Sequence, residues 1–299
     1  MLAIDWGSSG FRAYRLGDDG AVLEARTGTS GIASLTPTDY PAVLRQQIGD
    51  WLQAAPNAAV LLSGMVGSRQ GWREAAYASC PAGLDDLVVK LCPVELGQGR
   101  IAHIVPGLSC RTHDGVPDVM RGEETQIFGL DDLADVTVCL PGTHSKHAHV
   151  RDGRITGFAT AMTGEVFAQL KSQGLIAAML QTDKAADPDT ADAAFAAGLA
   201  RAGQAGGLLH HIFGVRTRRL FDEVCAAAGA DYLSGILIGH ELRATDWSGR
   251  VIIVGTGALA SRYRKAFAAL GIAADLAPDN AAARGLYRLS RLLKGERHD

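Results

Sequence analysis

No stretch of this 299-residue chain is apolar for long enough to cross a bilayer, so no membrane helix is expected. No basic n-region or cleavage site precedes the first apolar run, so no signal peptide is expected either. The five cysteines, Cys80, Cys92, Cys110, Cys139 and Cys225, form no Cys-x-x-Cys and no regular framework. Reduced, mostly buried thiols in a cytoplasm fit that pattern. There is no basic excess: the net charge is −3. Nothing therefore advertises nucleic acid, and an anionic ligand would need a local cluster of Arg or Lys. The chain has no GxxxxGK[ST], which excludes a P-loop kinase, and no GxSxG or HExxH. It also lacks linkers, low-complexity segments and charge blocks.

What is present is a soluble composition, 47% hydrophobic and 20% charged, with 36 glycines. A chain of this length can bury a sizeable core and form two lobes. Its opening is informative. Leu2-Ala3-Ile4 reads as a buried strand, Asp5-Trp6-Gly7-Ser8-Ser9-Gly10 as a tight turn, and Phe11 to Leu16 as a half-exposed strand. Gly7 and Gly10 let backbone N–H groups approach an anion. Ser8 and Ser9 add hydroxyls, Arg12 adds charge, and Asp5 can hold a hydrated Mg²⁺. This is a phosphate cradle made from a hairpin, or else an ordinary Gly/Ser turn.

Ala21 to Thr27 predicts a third strand, Thr38 to Ala54 a helix with Val43, Ile48, Trp51 and Leu52 near one face, and Ala59 to Leu62 a buried strand. That strand runs into Ser63 to Arg73, a Gly-rich loop holding Gly67, Ser68, Arg69 and Trp72. Trp72 suits a sugar face, and Arg69 or Arg73 a carboxylate. Ile101 to Val105 is another strand. Asp118 to Leu130 reads as a loop feeding a helix, with Glu123 and Glu124 in its first turn, where acids complement the helix dipole.

Val136 to Leu140, the turn Pro141 to Lys146, and a hairpin about Asp152-Gly153 repeat the opening pattern of strand, small-residue turn and hairpin. His144, His147 and His149 invite a zinc reading. Strand alternation, however, points His147 and His149 the same way with no acid or Cys partner nearby, so no metal is expected there. Thr163 to Thr245 is nearly all helix, opened in part by the Asp187-Pro188 cap and including Gly206 to Phe213 and Leu220 to Ala228. Arg216, Arg218 and Arg219 fall between two of these helices. A strand at Val251 to Val254 leads through Gly255-Thr256-Gly257 into a helix from Leu259. A strand at Ile272 to Leu276 and a helix from Ala281 to Leu293 end the pattern.

Gly255-x-Gly257-x-x-Ala260 with Asp275 beyond matches a dinucleotide fingerprint, which makes an NAD-dependent oxidoreductase a rival reading. Against it, the motif lies late, with room for one more strand and helix, and the other Gly loops would have no role. The same unit would serve as an adenosine loop.

Two hairpins followed by a late Gly-Thr-Gly loop resemble the actin/hexokinase/Hsp70 superfamily. More narrowly, Ile4 to Ser9, Gly64 to Ser68 with Gly71-Trp72, and Val119 to Gln126 resemble the 2-dehydro-3-deoxygalactonokinase family. So do Pro141 to Lys146, Met162 to Glu165 and Leu233 to Gly239. The family usually carries Trp where this chain has His147. The resemblance implies an α/β, two-lobed, actin-like ATPase with ribonuclease H-like lobes, mixed sheets and a cleft between them. Residues 1–118 with 281–299 would form one lobe and 119–280 the other. It implies ATP- and Mg²⁺-dependent phosphorylation of the 6-hydroxyl of 2-dehydro-3-deoxy-D-galactonate, in galactonate breakdown. Another small-molecule kinase of the superfamily is the alternative. A small-molecule sugar acid is the expected partner, not nucleic acid or membrane, in the cytoplasm, with a homodimer left open.

The residue roles follow from the resemblance. Asp5 would hold Mg²⁺, and Gly7, Ser8, Ser9 and Arg12 the β/γ-phosphates. Gly142, Thr143 and Lys146 would serve the second hairpin, and Gly255, Thr256 and Gly257 the adenosine and α-phosphate. Gly67, Ser68, Arg69, Trp72, Arg121 and Glu123 would face the substrate. Glu124 would be the general base, because superfamily sugar kinases place an Asp at the start of the helix before the second hairpin.

Overall fold

The computed structural model describes residues 1–36, 38–97, 99–182 and 184–295. In chain order the elements are β1 (Leu2–Trp6), β2 (Phe11–Leu16), β3 (Val22–Gly28), α1 (Tyr40–Ala54), β4 (Val60–Ser63), β5 (Ala78–Ser79), α2 (Leu84–Val88), β6 (Cys92–Gly97), β7 (Arg100–Ile104), β8 (Leu108–Arg111) and β9 (Pro117–Met120). There follow α3 (Glu123–Ile127), β10 (Asp135–Leu140), β11 (Ser145–Arg151), β12 (Arg154–Ala161), α4 (Thr163–Ser172), α5 (Gly174–Leu180), α6 (Pro188–Ala202), α7 (Gly207–Leu220) and α8 (Ala226–Arg243). β13 (Arg250–Ile253), α9 (Gly257–Ala269), β14 (Ala274–Leu276) and α10 (Ala281–Leu293) complete the chain.

One compact unit comprises Met1–Val136, Ala148–Ala159 and Ala277–Asp299; the other comprises Thr137–His147 and Thr160–Leu276. The expected boundary at residue 118 falls inside the first unit, and residues 296–299 of the expected first lobe lie outside the described residues. Helices α3 and α10 explain why β9 and α3 stay with the N-terminal strands. A Cβ on Gly285 would lie 1.8 Å from Thr125 O, so the two backbones touch with no room for a side chain.

The first unit is built on a six-stranded sheet in the order β3-β2-β1-β4-β7-β6. β1 pairs antiparallel with β2, in a register that sets Asp5 opposite Arg12, and parallel with β4. Leu2, Ile4, Trp6, Phe11 and Leu62 of these strands are buried with Tyr40, Leu44, Ile48 and Trp51 of α1. The helix thus presents Leu44 inward, with Val43 only half-buried. A small sheet, β5-β8-β9, and the edge strand β6 were not legible in the sequence, whereas β9 replaces part of the loop expected before α3. That helix is a single turn and a half, five residues long.

The second sheet runs β12-β11-β10-β13-β14. Its first four strands repeat the order β3-β2-β1-β4, so the duplicated motif is a duplicated sheet topology. Asp152 (φ 48°) and Gly153 (φ 70°) make the β11–β12 turn that Asp-Gly predicts. Helices α4 to α8 fill the expected helical stretch, with Asp187 capping α6 by accepting from Thr190 N at 2.9 Å. α6 and α8 pack backbone to backbone: a Cβ on Gly235 would lie 2.1 Å from Phe195 O. The helix expected over Leu220 to Ala228 is interrupted: residues 221–225 form a break between α7 and α8, with Asp222 at φ 56°. Arg216, Arg218 and Arg219 therefore lie on α7, not between helices, and Arg219 ties the break by donating to Val224 O at 2.9 Å. Among the described residues no helix is long and apolar enough to cross a membrane.

Candidate active site

In the first unit the β1–β2 turn is closed by Gly7 N donating to Gly10 O at 2.9 Å. Ser8 and Ser9 project outward, and Ser8 O accepts from Ala33 N at 3.0 Å, which pins the turn to the following segment. A cavity of about 530 Å³ opens here, walled by Asp5, Gly7, Ser9, Arg12, Thr27 and Thr29. Burial raises the Asp5 carboxyl above its usual range, and the Arg12 guanidinium opposes that shift.

Two glycines bring further segments to the end of β1. Gly64, directly after β4, has φ +95°, and a Cβ on it would lie 2.8 Å from Trp6 O and 3.3 Å from Asp5 Oδ1. Gly122, before α3, has φ +107°, and its Cβ would lie 3.1 Å from Gly64 Cα. Side chains at either place would separate the segments. The Ser63 and Thr125 hydroxyls, 2.8 Å apart and buried, lock β4 to α3.

Glu123 and Glu124 therefore have different surroundings. Glu123 Oε2 accepts from Arg121 N at 2.9 Å and so caps the turn. Glu124 is fully buried; its Oε2 accepts from Gly122 N at 2.7 Å, while Oε1 has no partner. Burial first, then the neighbouring Glu123 charge, pushes the Glu124 carboxyl up to about 8. Arg121 is 8% exposed, donates through Nη2 to Ala75 O at 2.8 Å, and lies over the Tyr77 ring at 4.4 Å. Gly67 and Ser68 are buried close by. Arg69 is different: its side chain is 86% exposed and paired with Glu74 at 3.1 Å. Trp72 offers less than expected, because Tyr40 stacks on it at 5.9 Å and it packs against the core.

In the second unit Gly164, in the first turn of α4, faces the β10–β11 turn, and a Cβ on it would lie 2.3 Å from Gly142 O. Glu165 N donates to Thr143 O at 2.9 Å, and Glu165 Oε2 lies 2.5 Å from His144 Nε2. Lys146 is buried, donating to Thr160 Oγ1 at 2.9 Å. Beside this turn lies a cavity of about 700 Å³, with walls that include Gly142, Thr143, Ala227, Ser234, Leu259 and Arg262. Gly255, Thr256 and Gly257 are not in its walls; they lead into α9, which supplies Leu259 and Arg262. Asp231 of α8 holds Arg262 in an ion pair.

The expectation that His147 lacks an acid or Cys partner is corrected by tertiary structure. Glu241 of α8 lies 2.7 Å from its Nε2, Thr245 Oγ1 lies 2.7 Å from Nδ1, and Cys139 of β10 is adjacent. Tyr263 donates to the other Glu241 oxygen at 2.6 Å. Asp275, the acid of the dinucleotide reading, is paired with Arg250 at 3.1 Å. Those partners are 94, 98 and 25 residues from the groups they meet, and no local pattern announces the first two.

Two mixed sheets, each opening with a strand, a small-residue turn and a hairpin, define the α/β fold of the actin-like ATPases. The activator of 2-hydroxyisocaproyl-CoA dehydratase from Clostridium difficile, solved with ADPNP, shares that fold alone: TM-score 0.50 at 14% identity, over 100% of this chain and 98% of that one. The narrower assignment comes from closer matches. A family model for 2-keto-3-deoxy-galactonokinase matches residues 5–289. The Escherichia coli K12 2-dehydro-3-deoxygalactonokinase is 36% identical over 90% of each chain. A crystal structure of a protein from Sinorhizobium meliloti assigned the same activity has a TM-score of 0.85 at 34% identity, covering 98% of both chains. The chain belongs to the 2-dehydro-3-deoxygalactonokinase family.

Proposed function

We propose that this protein transfers the γ-phosphoryl group of ATP to the 6-hydroxyl of 2-dehydro-3-deoxy-D-galactonate. The observation that carries the reading is Glu124: a wholly buried carboxyl with one unpartnered oxygen, two residues after Gly122, which packs on the Gly64 that abuts Asp5. A primary hydroxyl is a poor nucleophile at neutral pH, and a carboxylate held near the working pH is suited to accept its proton. Glu124 Oε1 is the atom for that role; Glu123, committed to Arg121 N, is the cap.

Phosphoryl transfer needs positioning and charge neutralisation more than covalent chemistry from the protein. Gly7, Ser8, Ser9 and Arg12 would orient the β/γ-phosphates. Asp5, with Ser9, Thr27 and Thr29 around one cavity, offers the hard oxygen set that Mg²⁺ prefers, and the volume admits a hydrated ion. When bound, Mg²⁺ would neutralise charge on the phosphate oxygens. In the second unit Gly142, Thr143 and Lys146 would serve phosphate. The cavity of about 700 Å³ would take the adenosine, with Gly255, Thr256 and Gly257 as the approach to α9; its size suits a nucleoside. Gly67, Ser68 and Arg121 would face the sugar acid, whereas the exposure of Arg69 and the stacking of Trp72 favour structural roles for both.

The test compares kcat of Glu124→Gln and Glu123→Gln, with ATP affinity measured separately. Loss of the base lowers kcat by roughly 10²–10⁴-fold, whereas loss of a cap leaves it within a few fold. Wild-type kcat in Glu124→Gln with loss in Glu123→Gln would reverse the two roles, and wild-type kcat in both would remove the base from α3.

A further inference from the structure

Among the described residues, six buried side-chain atoms have no hydrogen-bond partner, and four of them belong to Ser68, Arg121 and Glu124. These are Ser68 Oγ, Arg121 Nε and Nη1, and Glu124 Oε1. Glu124 has its place in the reading above. The other three are a hydroxyl and the Nε and Nη1 donors of a guanidinium, three N–H bonds in all. Burying a polar group without a partner is costly, and burying a charge without an anion more so. Arg121 commits only Nη2, to Ala75 O, and rests its face on Tyr77. Arg121 and Ser68 each keep 8% of their surface exposed, so they sit at the edge of the buried region. Gly67 packs closely here: a Cβ there would stand 2.7 Å from Ile104 Cγ2 and 3.0 Å from Arg121 Nη1.

We infer that Arg121, assisted by Ser68, reads the carboxylate of the substrate and is what makes this enzyme select a sugar acid over a neutral sugar. The inference rests on the kinase reading and deepens it. Three arginines compete for the role. Arg69 is exposed and already paired with Glu74. Arg73 donates to Pro93 O at 3.0 Å on the exposed side of its loop. Arg121 alone of the three joins burial to free donors. A carboxylate supplies the missing acceptors together with a full negative charge, whereas a hydroxyl or amide supplies acceptors only. Arg121 also lies three residues before Glu124, so one short segment carries both the group that selects the acid and the group that takes the proton.

The experiment measures kcat and KM with ATP for 2-dehydro-3-deoxygalactonate and for its C1 primary amide, which keeps every hydroxyl and loses the charge. Wild type is expected to favour the acid. Arg121→Met should lower kcat/KM for the acid by roughly 10²- to 10³-fold, mostly through KM, and lower it far less for the amide. Arg121→Lys should recover part of the loss. Ser68→Ala, a milder change that keeps the fold testable if Arg121→Met does not fold, should raise KM for the acid several-fold more than for the amide. Equal losses on acid and amide, or an undiminished preference for the acid in these variants, would overturn the role. Wild-type turnover of both compounds at similar rates would also overturn it while leaving the kinase reading intact. Turnover of neither would sink the kinase reading and this inference with it.

Discussion

At the scale of single residues, Glu124 ties function to stability. Burial pushes its carboxyl up to about 8 from an ordinary 4.5, so in the folded protein the ionised, proton-accepting form is the minority at neutral pH and grows as pH rises. Between those values the unfolded chain has released its proton and the folded chain still holds it. Stability therefore falls as pH rises through this window, with a slope of about 1.4 kcal/mol per pH unit for one proton. Below pH 4.5 and above pH 8 this group contributes no slope. Glu124→Gln removes the ionisation and keeps the shape. Its melting temperature relative to wild type should climb by several degrees between pH 5 and pH 8, read by circular dichroism. A difference that stays constant across that range would mean Glu124 ionises freely in the fold. The same residue shows how far sequence reasoning reached. The Gly-Glu-Glu string and the family resemblance singled out the pair, but not which of the two is buried. What divides the pair is the full burial of Glu124, whose Oε2 accepts from Gly122 N, and burial is a property of the fold. For Trp72, the Tyr40 ring that covers one face comes from α1, 32 positions earlier, so its sequence neighbours suggested an open platform it does not have.

At the scale of elements, the two turns owe their shape to backbones that touch. The β10–β11 turn leans on α4 at Gly164 without room for a methyl group. Gly164→Ala should push the turn away, raise KM for ATP, and cost roughly 1–3 kcal/mol of stability, the usual penalty for overpacking. Gly157 of β12, where a Cβ would meet nothing within 4 Å, is the matched control, and Gly157→Ala should leave both quantities unchanged. Unaltered ATP kinetics in Gly164→Ala would detach this turn from nucleotide binding. Strong local signals survived intact here: the span of β2, the Asp-Gly turn at 152–153, the Asp187-Pro188 cap and the span of α10 all stand as read. Elements with weak local signals did not. β6 is interrupted by Pro93 and the four-residue β9 is led by Pro117, and both take their place from neighbouring strands. The end of α7 extends through three arginines because Arg219 reaches Val224 O and Met179 O, contacts that a period-counting argument does not see.

At the scale of the whole molecule, the repeated order β3-β2-β1-β4 and β12-β11-β10-β13 is the imprint of one motif used twice, and it was visible as two strand–turn–hairpin strings. The division of the chain was less visible, because α10 joins α3 through a contact about 160 residues apart in sequence. The late Gly255-x-Gly257-x-x-Ala260 loop is the feature that would mislead about the ligand of the whole protein. ATP or ADP should raise the melting temperature with rising concentration, as mass action requires of a ligand bound by the folded state. NAD(H) should not, and stabilisation by NAD(H) alone would mean the loop serves a dinucleotide. The most direct test is turnover itself: ADP release coupled to formation of a sugar-acid phosphomonoester, with the product's phosphorylated carbon identified by ³¹P–¹H correlation. The account predicts one ADP for each 6-phosphorylated 2-dehydro-3-deoxygalactonate, dependent on Mg²⁺. No phosphorylated product above the ATPase background, or phosphate found on another oxygen, would contradict it.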